Sequence, residues 1–188
     1  MSKKVFIDGG YHLGEGLSEF KQMLNITNDW EVHCFEPNIH CNGNLIKDDN
    51  TTLHRKAIWV ENGSQIFNCE DNDANRSPKV NSISKLDGWG SALTILEKKF
   101  TFEEQINVET IDFSEFVENF KGCEIYCKLD IEGAEFEVLR KLIKTGVISL
   151  IKELWVEFHD WVLPNEDKVS KFELIKELSK YTKRNEWK

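Results

Sequence analysis

Residues 128–135 read Lys128-Leu129-Asp130-Ile131-Glu132-Gly133-Ala134-Glu135, and this stretch decides the fold. It follows the β-prone run 125–127 and precedes apolar residues at helical spacing, so it marks the point where a strand gives way to a helix. Charged groups at such a point indicate a ligand site, because ligands of open α/β sheets bind beyond the carboxyl ends of the strands. The segment therefore predicts an α/β protein with a ligand site at this strand end.

A glycine-rich turn near the start of the chain repeats the pattern. The predicted strand 5–7 runs into Asp8-Gly9-Gly10-Tyr11-His12-Leu13-Gly14-Glu15-Gly16, and an amphipathic helix follows. Glycines accept positive φ angles, which lets a backbone turn tightly and approach a ligand. A further predicted strand, 32–35, ends at Glu36-Pro37-Asn38, and an acidic group about 20 residues beyond such glycines suits a ribose diol. The three segments together predict a nucleotide-like cofactor.

Charge distinguishes between two such cofactors. The pyrophosphate of a dinucleotide would lie at the helix N-terminus, where Asp8 and Glu15 would oppose its phosphates. S-adenosylmethionine has no phosphate, and its ammonium and sulfonium groups favour nearby carboxylates. The acidic turn therefore favours the methyl donor over NAD.

The segments 8–14, 35–38 and above all 128–135 resemble the signature blocks of the FkbM-type methyltransferases. The resemblance extends over roughly residues 4–159 and implies a class I, Rossmann-like fold with a doubly wound, mostly parallel sheet. It also implies transfer of a methyl group from S-adenosylmethionine to a hydroxyl of a sugar, glycan or related metabolite. Tyr11 and His12 depart from the small residue and polar amide that are usual after the glycines. The expected cofactor-binding residues are Asp8, Gly9, Gly10, Tyr11, Gly14, Glu36, Pro37, Asn38, Ala57, Ile58 and Asp130.

Methyl transfer to a hydroxyl requires aligned reactants and benefits from a base that removes the hydroxyl proton. Asp130 and Glu132 lie at the end of the fourth predicted strand, and Glu157 and His159 at the end of the fifth, so these four candidate catalytic side chains should meet at one crevice. We rank His159 and Asp130 first. Histidine titrates near neutrality, whereas a carboxylate needs a raised pKa to act as the base or acts mainly by orienting the acceptor. A divalent metal, Mg²⁺ or Mn²⁺, held by Asp130, Glu157 and His159 is an alternative that the pattern leaves open.

The acceptor has a separate set of candidate contacts. Residues 70–107 have weak periodicity and are interpreted as a lid or substrate-binding insertion in a single domain spanning 1–188. Aromatic faces suit sugar rings, so Trp89 and Trp161 are expected substrate-binding residues. Ser91, in the same insertion as Trp89, is the third.

Composition excludes several partners and locations. The chain has 24 basic and 33 acidic residues and a formal net charge of −9, which excludes nucleic acid and anionic membranes as expected partners. Its 5 cysteines are odd in number and lack CxxC spacing, which argues against a disulfide framework or zinc ribbon. No apolar run near the start is long enough for a signal or a membrane span, so we expect a cytoplasmic protein.

Alternating strand and helix patterns complete the expected fold. The pattern predicts a third strand at 53–60, which a hairpin turn at Asn62-Gly63 joins to a strand at 65–69. A helix at 111–120, two further strands at 124–130 and 150–158 and a last helix at 169–178 follow. The remaining residues, 181–188, are too few for the antiparallel hairpin that closes the usual class I sheet, so the hairpin is missing or the chain is truncated. We expect the exposed edge of the fifth strand to serve as a homodimer surface.

Two other functions are compatible with the same fold. One is an NAD-dependent, short-chain-like oxidoreductase, which the acidic turn disfavours and for which the sequence lacks a Tyr-x-x-x-Lys pair. The other is a non-catalytic module that binds the cofactor without turnover.

Overall fold

The computed structural model of the protein describes residues 2–38, 41, 48–69, 104–159 and 165–187. Within those residues the strands are β1 Lys4–Gly9, β2 Glu31–Phe35, β3 Thr51–His54, β4 Ala57–Trp59, β5 Gly63–Cys69, β6 Glu104–Asp112, β7 Glu124–Leu129, β8 Ile151–Val156 and β9 Lys183–Glu186. The helices are α1 Glu15–Met23, α2 Phe113–Glu118, α3 Glu135–Thr145 and α4 Asn165–Leu178.

The main sheet has six strands in the order β3-β2-β1-β7-β8-β9, and every neighbouring pair is parallel. From β1 the chain proceeds to β2 on one side, whereas from β7 it proceeds to β8 on the other. The strand order therefore reverses between β1 and β7, which is the place where open α/β sheets bind their ligands. This architecture confirms the predicted doubly wound, Rossmann-like α/β fold.

Helices cover both faces of the main sheet. Parallel crossovers are right-handed, so the helices that follow β1 and β7 must lie on opposite faces. Phe6 of β1 packs against Phe20 of α1, with ring centroids 5.1 Å apart. Val5 and Ile7 point the other way, into a core cluster that includes Leu139 of α3. The central strands are therefore apolar on both faces, as their continuous hydrophobic sequences predict.

A second, three-stranded sheet explains why one strand prediction was wrong. The stretch 53–60 forms two strands, because β3 belongs to the main sheet and β4 to the small one. Between them Arg55 turns aside and donates hydrogen bonds to the carbonyls of Asn38 and Cys41, at 2.9 and 3.1 Å. The predicted hairpin between 53–60 and 65–69 is also wrong, since β4 and β5 both pair with β6, which lies between them.

The boundaries of β6 and α2 also differ from the sequence-based expectation. Residues 104–107, assigned to the insertion, begin β6, and the helix expected from 111 starts at Phe113. Asp112 ends the strand because its side chain caps the helix, accepting hydrogen bonds from the backbone N–H groups of Ser114 and Glu115. The rest of the proposed insertion, 70–103, lies outside the described residues.

The C-terminal strand corrects the expectation of an exposed edge. β9 pairs in parallel with β8, with Glu153 opposite Lys183, so the edge of β8 is covered by the chain itself. The edge of β8 is therefore not open to a partner, and a homodimer stays a prediction. In the part of the chain that the structure describes, no antiparallel hairpin joins the main sheet. None of the described helices has the length and apolarity needed to cross a membrane.

Candidate active site

The carboxyl ends of β1, β7 and β8 form one crevice. Backbone hydrogen bonds continue past the ends of the strands: Asp130 N–H donates to the Gly9 carbonyl at 3.1 Å, and Glu157 N–H donates to the Leu129 carbonyl at 2.9 Å. These bonds hold the three strand ends side by side. The predicted convergence of the residues after the fourth and fifth strands is therefore observed.

The glycine turn after β1 is required by the packing of the protein itself. Gly10 has a φ of 80°, and a Cβ atom there would lie 1.8 Å from the Asp130 carbonyl oxygen. A Cβ atom on Gly9 would lie 2.9 Å from Ile58 Cδ1. Gly14, with a φ of 90°, packs against the ring of Tyr11. The glycines thus let the first turn contact the loop after β7, which explains the residue type without a ligand.

A buried lysine links β7 to β1 and to the turn that follows it. Lys128 Nζ donates a 2.7 Å hydrogen bond to the Gly10 carbonyl, and it lies 3.2 Å from Asp8 Oδ1 and 3.3 Å from Asp130 Oδ2. Burial raises the pKa of the Asp8 carboxyl, and the charge of Lys128 opposes that rise. Burial also works against the Lys128 ammonium, but Asp8 and Asp130 outweigh it and raise the pKa of Lys128. Lys128 is therefore a fixed cation between two carboxylates.

His159 lies among four carboxylates, and its side chain is only 3% exposed. Its Nδ1 atom is 3.1 Å from Glu135 Oε1. Its Nε2 atom is 3.4 Å from Glu132 Oε2, 3.8 Å from Asp130 Oδ1 and 3.9 Å from Glu157 Oε1. The three predicted catalytic carboxylates, Asp130, Glu132 and Glu157, therefore surround the imidazole ring of the fourth predicted residue, His159.

This concentration of negative charge changes the protonation of the cluster. Burial disfavours the imidazolium of His159, but the hydrogen bond and charge of Glu135 and the charges of Glu132 and Asp130 raise its pKa to about 9. Burial, together with the nearby carboxylates, raises the pKa of Glu132 to about 8 despite the opposing charge of His159. Burial and the charge of Asp130 also raise the pKa of Glu157. The cluster therefore retains protons at neutral pH that isolated carboxyls would release.

Glu135 belongs to the carboxylate cluster around His159, although its sequence position did not predict this. Its position in the first turn of α3 suggests a surface carboxylate that interacts with the helix N-terminus. Instead the residue is fully buried, and it accepts hydrogen bonds from the backbone N–H groups of Ile131 and Gly133 as well as facing His159. The short spacing to Asp130 and Glu132 is the only sequence signal that could have pointed to it.

The predicted ribose-binding residue is held firmly in place. Glu36 is buried, and its two oxygens accept hydrogen bonds from the N–H groups of His12 and Asn38, at 2.8 and 2.9 Å. Burial raises the pKa of Glu36, and the two backbone hydrogen bonds oppose that rise. Each carboxylate oxygen retains a second lone pair that can accept a ligand hydroxyl. Pro37 lies between Glu36 and Asn38 in the chain and is partly buried.

The remaining predicted contacts fall in different places. Tyr11 is buried in the core cluster that includes Phe20, so its ring is part of the packing on that face. Ile58 lies beside Gly9 at the crevice, whereas Ala57 packs in the core of the small sheet with Phe67 and Val108. The candidate acceptor contacts Trp89, Ser91 and Trp161 lie outside the described residues.

The site also contains a set of atoms of the kind that binds divalent metals. One nitrogen of His159 and one oxygen each of Asp130 and Glu132 lie within 4.8 Å of one another. Glu132 thus takes the place in this set that the sequence assigned to Glu157. Mg²⁺ and Mn²⁺ accept such mixed oxygen and nitrogen donors.

Comparison with known proteins identifies the family. The model of the methyltransferase FkbM domain matches residues 8–184, which is nearly the whole chain. Searches of curated proteins and of solved structures each found no match. The matched span includes the glycine turn, the Glu36 segment and the complete carboxylate cluster around His159, and the chain belongs to the FkbM methyltransferase family.

Proposed function

We propose that the protein is an S-adenosylmethionine-dependent O-methyltransferase acting on a hydroxyl of a sugar, a glycan or a related metabolite. The observation that carries the proposal is the buried His159 among Asp130, Glu132 and Glu157, at the strand reversal of a methyltransferase-family fold. This is the position in which such a sheet binds its ligand.

The residues of the crevice fit a cationic cofactor. Both oxygens of Asp8 and the Oε2 atom of Glu132 are buried and, among the described residues, accept no hydrogen bond. Lys128 is the cation nearest to Asp8, and its charge is shared with Asp130. Asp8 and Asp130 therefore share a single cation, Lys128, and this local imbalance favours sulfonium and ammonium groups and opposes the pyrophosphate of NAD.

Each part of the crevice has a proposed role in holding the cofactor. Glu36, fixed by two backbone N–H groups, would accept hydrogen bonds from the ribose hydroxyls. Asp8, Asp130 and the turn at Gly10 would surround the methionine end, and Ile58 would provide apolar contact. When bound, S-adenosylmethionine supplies an electrophilic methyl group on its sulfonium sulfur.

The acidic cluster would handle the proton of the acceptor. A neutral hydroxyl becomes a better nucleophile as it loses its proton, and a base within hydrogen-bond reach assists this. His159 and Asp130 are the first candidates, and the raised pKa of Glu132, about 8, makes its carboxylate a stronger base than an ordinary one. The same negative charge disfavours acceptors with a phosphate or carboxylate close to the reacting hydroxyl, so we infer an uncharged polyol.

Transfer of a labelled methyl group tests the proposal. The full chain is incubated with S-adenosylmethionine labelled in its methyl group and a panel of neutral glycosides, with Asp130→Asn as the matched variant. We expect alkali-stable methyl ethers with the wild type and at least about tenfold less product with the variant. Label found only as methyl esters or methylamines would contradict O-methylation. Tight binding of S-adenosylhomocysteine without any transfer would favour the non-catalytic module.

A further inference from the structure

One buried carboxylate connects the loop after β7 to the imidazole of His159. Glu135 is 0% exposed, and its Oε1 atom accepts a 2.7 Å hydrogen bond from Ile131 N–H and lies 3.1 Å from His159 Nδ1. Its Oε2 atom accepts a 2.9 Å hydrogen bond from Gly133 N–H. Both oxygens therefore have specific partners, and none of these partners belongs to the helix that Glu135 begins.

This arrangement determines which nitrogen of His159 faces the crevice. With Nδ1 against Glu135, the Nε2 atom is the one that faces Glu132, Asp130 and Glu157. A carboxylate accepts hydrogen bonds and does not donate them, so Nδ1 must carry a proton in either charge state of the ring. The neutral ring then has its lone pair on Nε2.

We propose that Glu135 is a positioning residue that holds His159 through Nδ1, so that Nε2 is the atom that receives the proton of the acceptor hydroxyl. This inference rests on the proposed function. The base is the neutral form of the ring, which predominates above its pKa of about 9. In that form the O–H bond of the acceptor breaks, its proton moves to Nε2, and an oxygen electron pair forms the new O–C bond. The bond between that carbon and the sulfonium sulfur breaks at the same time, and its electron pair stays on sulfur.

The same carboxylate also fixes the position of Glu132. Glu132 and Gly133 both have positive φ angles, of 55° and 98°. Glu135 binds the N–H groups on either side of Glu132, those of Ile131 and Gly133, and so holds the backbone in that turn. One side chain therefore orients both the ring and the carboxylate 3.4 Å from its Nε2 atom. The contact with His159 is the one that a carboxylate stabilising only the start of α3 would not need.

Nitrogen-15 NMR of the imidazole rings tests this arrangement without depending on enzyme activity. The full chain, labelled at histidine, is titrated with base as wild type, Glu135→Gln and Glu135→Leu, and His159→Gln assigns the signal. In the wild type we expect a neutral ring protonated at Nδ1. Gln retains an acceptor but loses the charge, so the titration midpoint should fall by about one to three pH units. Leu removes both the hydrogen-bond acceptor and the charge, so a neutral ring protonated at Nε2 should also appear.

The control is Glu137→Gln on the same helix, where the side chain is 51% exposed and paired with Arg140. It should leave the His159 signals unchanged. A midpoint unaffected by Glu135→Gln, or a wild-type neutral ring protonated at Nε2, would overturn the proposal. So would a shift of the ring nitrogens on adding Mg²⁺, because Nε2 would then be a metal ligand. Calorimetry with S-adenosylhomocysteine separates the methyltransferase proposal from the positioning of His159 by Glu135. A failure to bind it contradicts the proposed function and leaves the NMR result intact.

Discussion

Replacing Lys128 by Met removes the cation shared by two carboxylates of the site. The Lys128 side chain is 3% exposed and that of Asp8 is 0% exposed, with Nζ 3.2 Å from Asp8 Oδ1. Met has a similar length and no charge, so the main change is electrostatic. Since neither Asp8 oxygen accepts a hydrogen bond from the described residues, Asp8 would become a buried charge without compensation.

The expected loss of stability follows from the burial of this ion pair. Removing one partner of a buried ion pair lowers the free energy of unfolding by about 3–5 kcal/mol. For a chain of 188 residues this corresponds to a melting temperature lower by roughly 10 °C. Burial holds the pKa of Asp8 above its ordinary value of 3.8, and loss of Lys128 raises it further. The folded variant therefore binds the Asp8 proton more tightly than the unfolded chain does, and its deficit should be smallest below about pH 4 and grow as pH rises.

Urea unfolding of wild type and Lys128→Met between pH 4 and 8 measures this loss. Lys152→Met is the control on the neighbouring strand, because that side chain is 51% exposed in its pair with Glu124 and should leave the urea midpoint unchanged. The double variant Asp8→Asn with Lys128→Met should recover more than half of the loss. An equal loss at every pH, or no recovery in the double variant, would refute the electrostatic explanation and indicate a packing defect.

Three further predictions follow from other parts of the site. Gly10→Ala should not yield a folded protein, since its Cβ atom would lie 1.8 Å from a carbonyl oxygen, whereas Gly122→Ala has nothing within 4 Å and should cost only about 1 kcal/mol in thermal unfolding. Glu36→Gln should weaken S-adenosylhomocysteine binding roughly tenfold in calorimetry, because a charged hydrogen-bond acceptor for the ribose is lost. The pKa of His159, about 9, lies above the ordinary 6.5, so its contribution to stability should be present below pH 6.5 and lost as pH rises through 9. Melting curves of wild type and His159→Gln over that range should converge at the alkaline end.

The sequence predicted the crevice because parallel strands end at the same edge of a sheet. Asp130 and Glu132 follow one predicted strand and Glu157 and His159 another, so their approach required only the two strands to be neighbours. The structure confirms that they are. Glu135 could not be predicted in the same way, because its partner His159 is 24 residues further along the chain and its burial depends on tertiary packing.

Two strands show where pattern reading fails. β9 is Lys183-Arg184-Asn185-Glu186, which has neither apolar alternation nor β-branched residues, and its pairing with β8 provides the only basis for the strand. The run 53–60 looks continuous, yet its two halves belong to different sheets, and the side chain of Arg55 between them donates hydrogen bonds to two carbonyls. In both cases contacts distant in sequence override the local pattern.

Binding of the methyl donor's product is the most direct test of the central claim that the crevice is built for a cationic adenosyl cofactor. Purified full-length chain is titrated in a calorimeter with S-adenosylmethionine, S-adenosylhomocysteine and, in parallel, NAD. The account predicts micromolar binding of both adenosyl compounds and none of NAD, with tighter binding of the charged S-adenosylmethionine because of the carboxylates at Asp8 and Asp130. Binding of NAD alone would contradict it.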